Sequence, residues 1–213
     1  GPTGPTTPMA TDPTRPDVPR HPTDPLIERG DHLAAVDTAL ARASVAPGGS
    51  IVVVEAAPGA GLTAVLDHVG ATAAPRWRTA TVRADDLDAG IPFSVLHRVV
   101  EALHGLPGAV PISDQAAALA LAPVLDPARL LDGLDPAAEA PALVVGLGWL
   151  LEHLTEDVPL LVVVDDAHLA DEASLGVLAT TWSRCRLPMV LLVGAHPAPA
   201  PGGALERLRS TST

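Results

Sequence analysis

Residues Ser50–Thr63 read SIVVVEAAPGAGLT. Ile51–Val54 is an unbroken β-branched run, as expected of a strand buried on both faces of a parallel sheet. A glycine-bearing turn follows, and Thr63–Val69 then carries Val65, Leu66 and Val69 inward at a helical spacing. Against the spacing G-x-x-x-x-G-K-[ST], whose backbone cradles phosphate, Gly61 and Thr63 fall in register. Ala56 stands at the first glycine and Leu62 at the lysine. How that leucine is read decides the functional expectation.

Outward from this stretch, apolar strands alternate with helical patterns. Upstream, Asp31 is placed to cap a helix bearing Leu33, Val36 and Leu40, stopped by Pro47-Gly48-Gly49. Downstream, Thr79–Arg83 is a second strand and ADDLDAGIPF a polar connection; Ser94 is placed to cap a helix reaching His104. Residues 105–138 read as short Ala/Leu helices broken at Pro107, Pro111, Pro123 and Pro136, and Glu139–Leu154 as a long apolar helix. Leu160–Val164 is the most hydrophobic strand and runs into Asp165-Asp166. A helix from about Glu172 to Cys185 and a strand over Met189–Val193 complete the pattern. The alternation predicts an α/β domain over residues 26–197 with a parallel sheet flanked by helices. Residues 198–213 form a tail with one amphipathic piece around Leu205 and Leu208 and no further strand. Residues 1–25, rich in Pro, Thr and Asp, read as a disordered arm. Within it GPTGPTTP looks like a remnant of expression, with Met9 a natural start.

Composition narrows the function classes. The chain is 47% hydrophobic but only 2% aromatic, so its core is built from Ala, Val and Leu. Its 13 basic side chains are all arginines and face 25 acidic ones. The resulting net charge of −12 opposes direct nucleic-acid binding, which draws its affinity from neutralised phosphates. A single cysteine, Cys185, leaves no internal disulfide and no zinc-type cluster. With neither a leader nor an apolar run of the ~18 residues a membrane span needs, the expected location is cytoplasmic.

A strand feeding a glycine turn and a helix N-terminus makes an anion cradle, because unpaired N–H groups and the helix dipole face the phosphate. Gly59 and Gly61 allow close backbone approach, and the Thr63 hydroxyl is placed to ligate Mg²⁺. An apolar strand ending in an acid is where such a fold holds its metal. Asp165 would take the Mg²⁺ and Asp166 would orient an attacking water. The bland alternatives are a tight βα connection and two helix-capping acids. His168, beside the acids, could sense phosphate or metal, although satisfying a nearby carbonyl is the favoured role. His97 and His104 could share a helix face as a metal pair. Cys185, between two arginines, could have a lowered pKa but reads as an ordinary helix-end residue. Trp149 and Trp182 read as packing.

At these residues the chain resembles a family. LIERGDHLAAVDTAL, VVVEAAPGAGLT, AGIPFSVLHRVVEAL, LLVVVDDAHLADEASL and MVLLVGAHP occur in the order seen in the ATPase domain of large LuxR-type transcriptional regulators. Those regulators belong to the signal-transducing ATPases with numerous domains, a branch of the AAA-like phosphate-loop fold. The resemblance implies ATP or ADP with Mg²⁺ as ligand, held by the loop Pro58, Gly59, Ala60, Gly61, Leu62 and Thr63. It also implies Arg29 and His196 near the nucleotide, His196 lying where relatives often carry an arginine. Asp165, Asp166 and the Pro92-Phe93 pair match; Asp88 stands for a usual glutamate and Leu169 for a common tryptophan. In such sheets the strand after the fourth pairs beside the phosphate-loop strand. Its absence here predicts an Ile51–Val54 edge that self-associates or is covered by the tail.

Leu62 has a physical consequence. A phosphate-loop lysine donates a charge-assisted hydrogen bond worth ~1.5–3 kcal/mol. Losing one such donor in the transition state costs ~10²–10³ in rate. Ala56 would add ~1–2 kcal/mol if its backbone needed a positive φ. The expectation is therefore a regulatory module that binds ATP or ADP weakly or not at all and hydrolyses it negligibly. It would act as a conformational or interaction element toward other domains of a larger regulator, or a second copy. The alternatives are a working ATPase with an atypical loop and an interaction scaffold that binds no nucleotide.

Overall fold

The computed structural model describes residues 30–45, 48–107, 115–197 and 203–212. The arm, Arg29 and most of the tail's first residues lie outside them. Four parallel strands, β1 (Ser50–Glu55), β2 (Arg78–Arg83), β3 (Leu160–Asp165) and β4 (Met189–Ala195), form one sheet in the order β1-β4-β3-β2. Among the described residues there is no fifth strand. β3 and β4, in the middle, are buried at every position.

Residue alternation divides the core in two, because successive side chains of a strand point to opposite faces. Leu161 and Val163 join Val190 and Leu192 beneath α1 (Gly30–Val45) and α2 (Leu62–Ala73), where Val36, Leu66 and Val69 pack. Leu160, Val162 and Val164 face the larger cluster on the other side. That side is covered by α3 (Ser94–His104), α4 (Gln115–Leu125), α6 (Pro136–Leu154) and α7 (Glu172–Arg184), with the short α5 (Pro127–Asp132) joined to α4. Every strand ends on the same rim, so Glu55, Arg83, Asp165 and Ala195 lie along one edge of the domain. In open parallel sheets that carboxyl rim is where ligands bind.

Several expected helix boundaries move. α1 already includes Asp31, beginning at Gly30. Pro136 opens α6 rather than breaking a helix: it sits at the first helical position behind Asp135, whose side chain accepts from Ala137 N–H at 3.0 Å. Ser94 is likewise not the cap of α3; Phe93 occupies that position with φ 67°. The capping group is a distant one. Asp171 Oδ1 accepts from Phe93 N–H at 2.8 Å and from Ser174 N–H at 2.8 Å. Its Oδ2 accepts from Val95 N–H at 3.2 Å and from the hydroxyls of Ser94 and Ser174. One buried carboxylate thus caps α3 and α7 together and locks Phe93 in place.

At the β1 edge the tail helix α8 (Gly203–Thr211) packs on β1 and α7, burying Ala204, Leu205 and Leu208. Ser212 Oγ accepts the outward N–H of Val53 at 3.2 Å, and Arg209 pairs with Glu55. The edge is covered by this helix, the second of the two outcomes expected for it. No described helix is long and apolar enough to cross a membrane.

Asp171→Ala would leave the N–H groups of Phe93, Val95 and Ser174 unsatisfied in the core. An unfolding titration in urea should show a loss of about 3–5 kcal/mol. A loss under ~1 kcal/mol would mean that water replaces the carboxylate.

Candidate functional site

The loop leaves β1 as Ala56, whose N–H donates to Ala195 O at 3.3 Å and extends the β1–β4 pairing by one residue. Residues Pro58, Gly59 and Ala60 are exposed. Gly59 (φ 78°) and Gly61 (φ 74°) take left-handed conformations that glycine adopts without a Cβ penalty. Among the described residues the only non-glycines with positive φ are Phe93 and Asp166. Ala56 therefore carries no such strain.

Leu62, the first residue of α2, is buried against the sheet. It is 6% exposed and packs in the cluster with Val52, Val54, Leu66 and Leu192. Its neighbour across the sheet is Gly194, where an added Cβ would come within 2.5 Å of Leu66 and 3.4 Å of Leu62. A leucine here is a core residue, and its burial stabilises the domain by roughly 1.5–3 kcal/mol.

Asp165 ends β3 at 4% exposure, a burial that a carboxylate tolerates only with donors around it. Its Oδ2 accepts from Thr63 Oγ1 at 2.8 Å and from Arg83 Nη2 and Nε at 2.8 and 3.1 Å. Its Oδ1 accepts from Asp166 N–H at 2.9 Å. Arg83 is opposite Asp165 in the β2–β3 register. Its pKa is raised, first by the hydrogen bond to Asp165, with desolvation opposing and the charges of Asp165, Asp166 and Asp67 adding. Sequence reasoning missed Arg83; its position as the last residue of β2 was visible, but its partner depends on register.

The same geometry tests the expected Mg²⁺ site. Thr63 and Asp165 are brought together, and oxygen donors suit a hard cation. Yet Oδ2 already serves three donors, two of them on a guanidinium. With Arg83 docked, the pair does not fit the ion.

Beyond β3, Asp166 adopts φ 53° and a 3₁₀ turn over Ala167–Leu169 carries His168. His196 follows β4; its backbone N–H donates to His168 Nδ1 at 3.3 Å, and its Nδ1 lies 2.8 Å from Ala56 O. The two rings are 4.5 Å apart between centroids. His168 thus bonds an N–H, not the carbonyl favoured for it from sequence. Its pKa is lowered, chiefly by burial and then by His196, against the smaller pull of Asp166, Asp165 and Asp86. His196 reaches the loop through Ala56.

Other expected sites separate. His97 faces Val124 O and Glu101, while His104 Nε2 is buried without a partner in the described structure. They form no common site. The Cys185 thiol is pushed up by burial and by Glu152, opposite to the lowering considered for it. Trp182 is core at 1% exposure, whereas Trp149 is 38% exposed rather than packed. Asp88, 5% exposed, accepts from Asp85 N–H at 2.7 Å and pairs with Arg98, tying the connection to α3.

The model for an AAA ATPase domain matches residues 25–193. This chain belongs to the AAA ATPase domain family. Cdc6p from Pyrobaculum aerophilum superposes with a TM-score of 0.54 at 18% identity, covering 84% of this chain and 42% of that one. The ORC2 protein of Aeropyrum pernix, solved as ADPNP–ADP complexes, gives 0.50 at 17% identity, covering 91% and 46%. The chain spans less than half the length of either, and at these identities the likeness is one of fold. No curated protein matches the sequence significantly. The parallel sheet flanked by helices is the phosphate-loop fold of AAA type.

Burial of neutral His168 and His104 makes the AAA domain acid-sensitive. Their folded pKa values lie below the ordinary 6.5, so below that pH the unfolded chain takes protons the folded one refuses. Stability should be fully present well above that ordinary value and fall as pH drops through and below it. The drop should be smaller in His168→Gln, and an NMR titration should place the His168 midpoint below 6.5. A midpoint at or above 6.5 would contradict the burial argument.

Proposed function

We propose that this AAA ATPase domain is a regulatory module of a LuxR-type transcriptional regulator, of the signal-transducing branch with numerous domains. It has a degenerate phosphate loop, binds ATP or ADP weakly or not at all and hydrolyses it negligibly. It works as a conformational or interaction element in the cytoplasm. The observation that carries this reading is Leu62 buried beside Gly194, so that no side chain at this position offers a cation where the family's lysine would meet phosphate. Arg83, the cation beside the acids, is engaged by Asp165. Pro58, Gly59, Ala60, Gly61 and Thr63 still offer a backbone cradle with two glycines in left-handed conformations, which supports residual affinity rather than none.

Nucleotide chemistry, where any occurs, falls to Asp166, whose carboxylate stands 3.7 Å from Arg83 Nε. Partners are other domains of a larger regulator or a second copy. The net charge of −12 argues against nucleic acid on this segment. Exposed Val145 and Trp149 on α6 are apolar surface that such a partner would cover.

Isothermal titration with ATP and ADP, with and without Mg²⁺, tests the reading on the native protein beside Leu62→Lys. The native chain should bind with at best high-micromolar affinity. The variant should gain about 10–100-fold, the worth of one charge-assisted hydrogen bond. Without nucleotide the variant should be less stable by about 1–3 kcal/mol, because an ammonium replaces a core side chain. Tight native binding with Mg²⁺-dependent turnover lost in Asp166→Asn would instead mean a working ATPase. Silence from both proteins would mean a scaffold.

A further inference from the structure

We propose that Asp166, His168 and His196 form a binding site for a late first-row divalent cation, with Zn²⁺ and Co²⁺ as its probes. Each residue offers one donor atom, and the three donors lie within 4.8 Å of one another. They come from separate parts of the fold, the αL residue after β3, the 3₁₀ turn behind it and the end of β4. Among the described residues this is the one group of three histidine, cysteine or acidic side chains with such spacing.

Three features favour a cation over a satisfied structural pair. First, His196 is oriented from behind: a proton on Nδ1 reaches the Ala56 carbonyl at 2.8 Å, which leaves Nε2 with its lone pair. A carbonyl fixing the remote ring nitrogen is the usual support for a ligating histidine. Second, the bond that His168 Nδ1 accepts from His196 N–H is long, at 3.3 Å, so ligation can replace it. Third, Asp166 is held at φ 53°, a conformation that costs a non-glycine residue strain and that collects at ligand sites. Metal bonds of about 2.1 Å set donors about 3–3.5 Å apart, so the three groups draw in by roughly 1 Å on binding.

The donor set selects the metal. Two imidazoles and one carboxylate suit Zn²⁺, Co²⁺ or Ni²⁺ and disfavour Mg²⁺, which takes oxygen. Among the described residues Arg83, 3.7 Å from Asp166, is the competing cation close by, while Asp165 and Asp86 add negative field around His168. Three protein ligands leave a coordination position open beside the Ala56 end of the loop, available to water or an anion. Occupancy does not depend on nucleotide, so the proposal stands or falls apart from the regulatory reading.

Titration of the metal-free protein with Zn²⁺, and with Co²⁺ followed by its visible d–d bands, tests this directly. One equivalent should bind with micromolar or tighter affinity and raise Tm. His168→Ala and His196→Ala should each weaken binding by about 100-fold or more, at or beyond the upper end of the ~10–100-fold that loss of a supporting residue costs. His97→Ala should change nothing. Should the site variants fold poorly, Co²⁺ added to the native protein should broaden the imidazole NMR signals of His168 and His196 before those of His97 and His104. Absence of binding by the native protein, equal binding by the variants, or broadening that favours His97 or His104 would overturn the proposal.

Discussion

A carboxylate at the end of a fully buried strand must find its hydrogen-bond donors inside the protein. Asp165 finds them in Thr63 from α2, Arg83 from β2 and the backbone of Asp166. That one requirement ties the loop helix, the second strand and the turn after β3 to a common point on the sheet rim. It also gives the site its character. Where a metal or a phosphate-bound lysine would share the charge of the acid in a phosphate-loop enzyme, an arginine fixed by strand register does so here.

Leu62 and Arg83 are complementary consequences of the same arrangement. A lysine at the start of α2 would keep a positive charge near the rim. A leucine turns inward instead, filling space that Gly194 leaves open beside Leu66. The cradle geometry survives because it is made of backbone: Gly59 and Gly61 adopt their left-handed conformations whatever follows them.

Much of this was legible in the residues. β1, β3 and β4 came from apolar runs of the right length, and the βα order followed from the alternation of patterns. The loop and the acid pair were read from spacing along the chain, because they lie next to the strands that place them, while His196 came from the family resemblance. What was missed joins residues far apart in sequence. Asp171 caps α3 across a separation of more than seventy residues, so Ser94 looked like the cap. Arg83 was an ordinary strand-end arginine until the register placed it opposite Asp165. Trp149 belonged to an apolar helix pattern, yet its face of α6 is left partly open to solvent.

Sequence alone determined the class of sheet, the presence of a glycine loop ahead of a helix and the leucine at position 62, since period and residue identity are local properties. Tertiary structure decided where Leu62 points, what neutralises Asp165, how α8 covers the β1 edge and that Asp166, His168 and His196 converge. Those outcomes depend on which strands are neighbours and in what register. A register shift of one residue would turn every side chain to the opposite face, so they become definite only when the sheet is assembled.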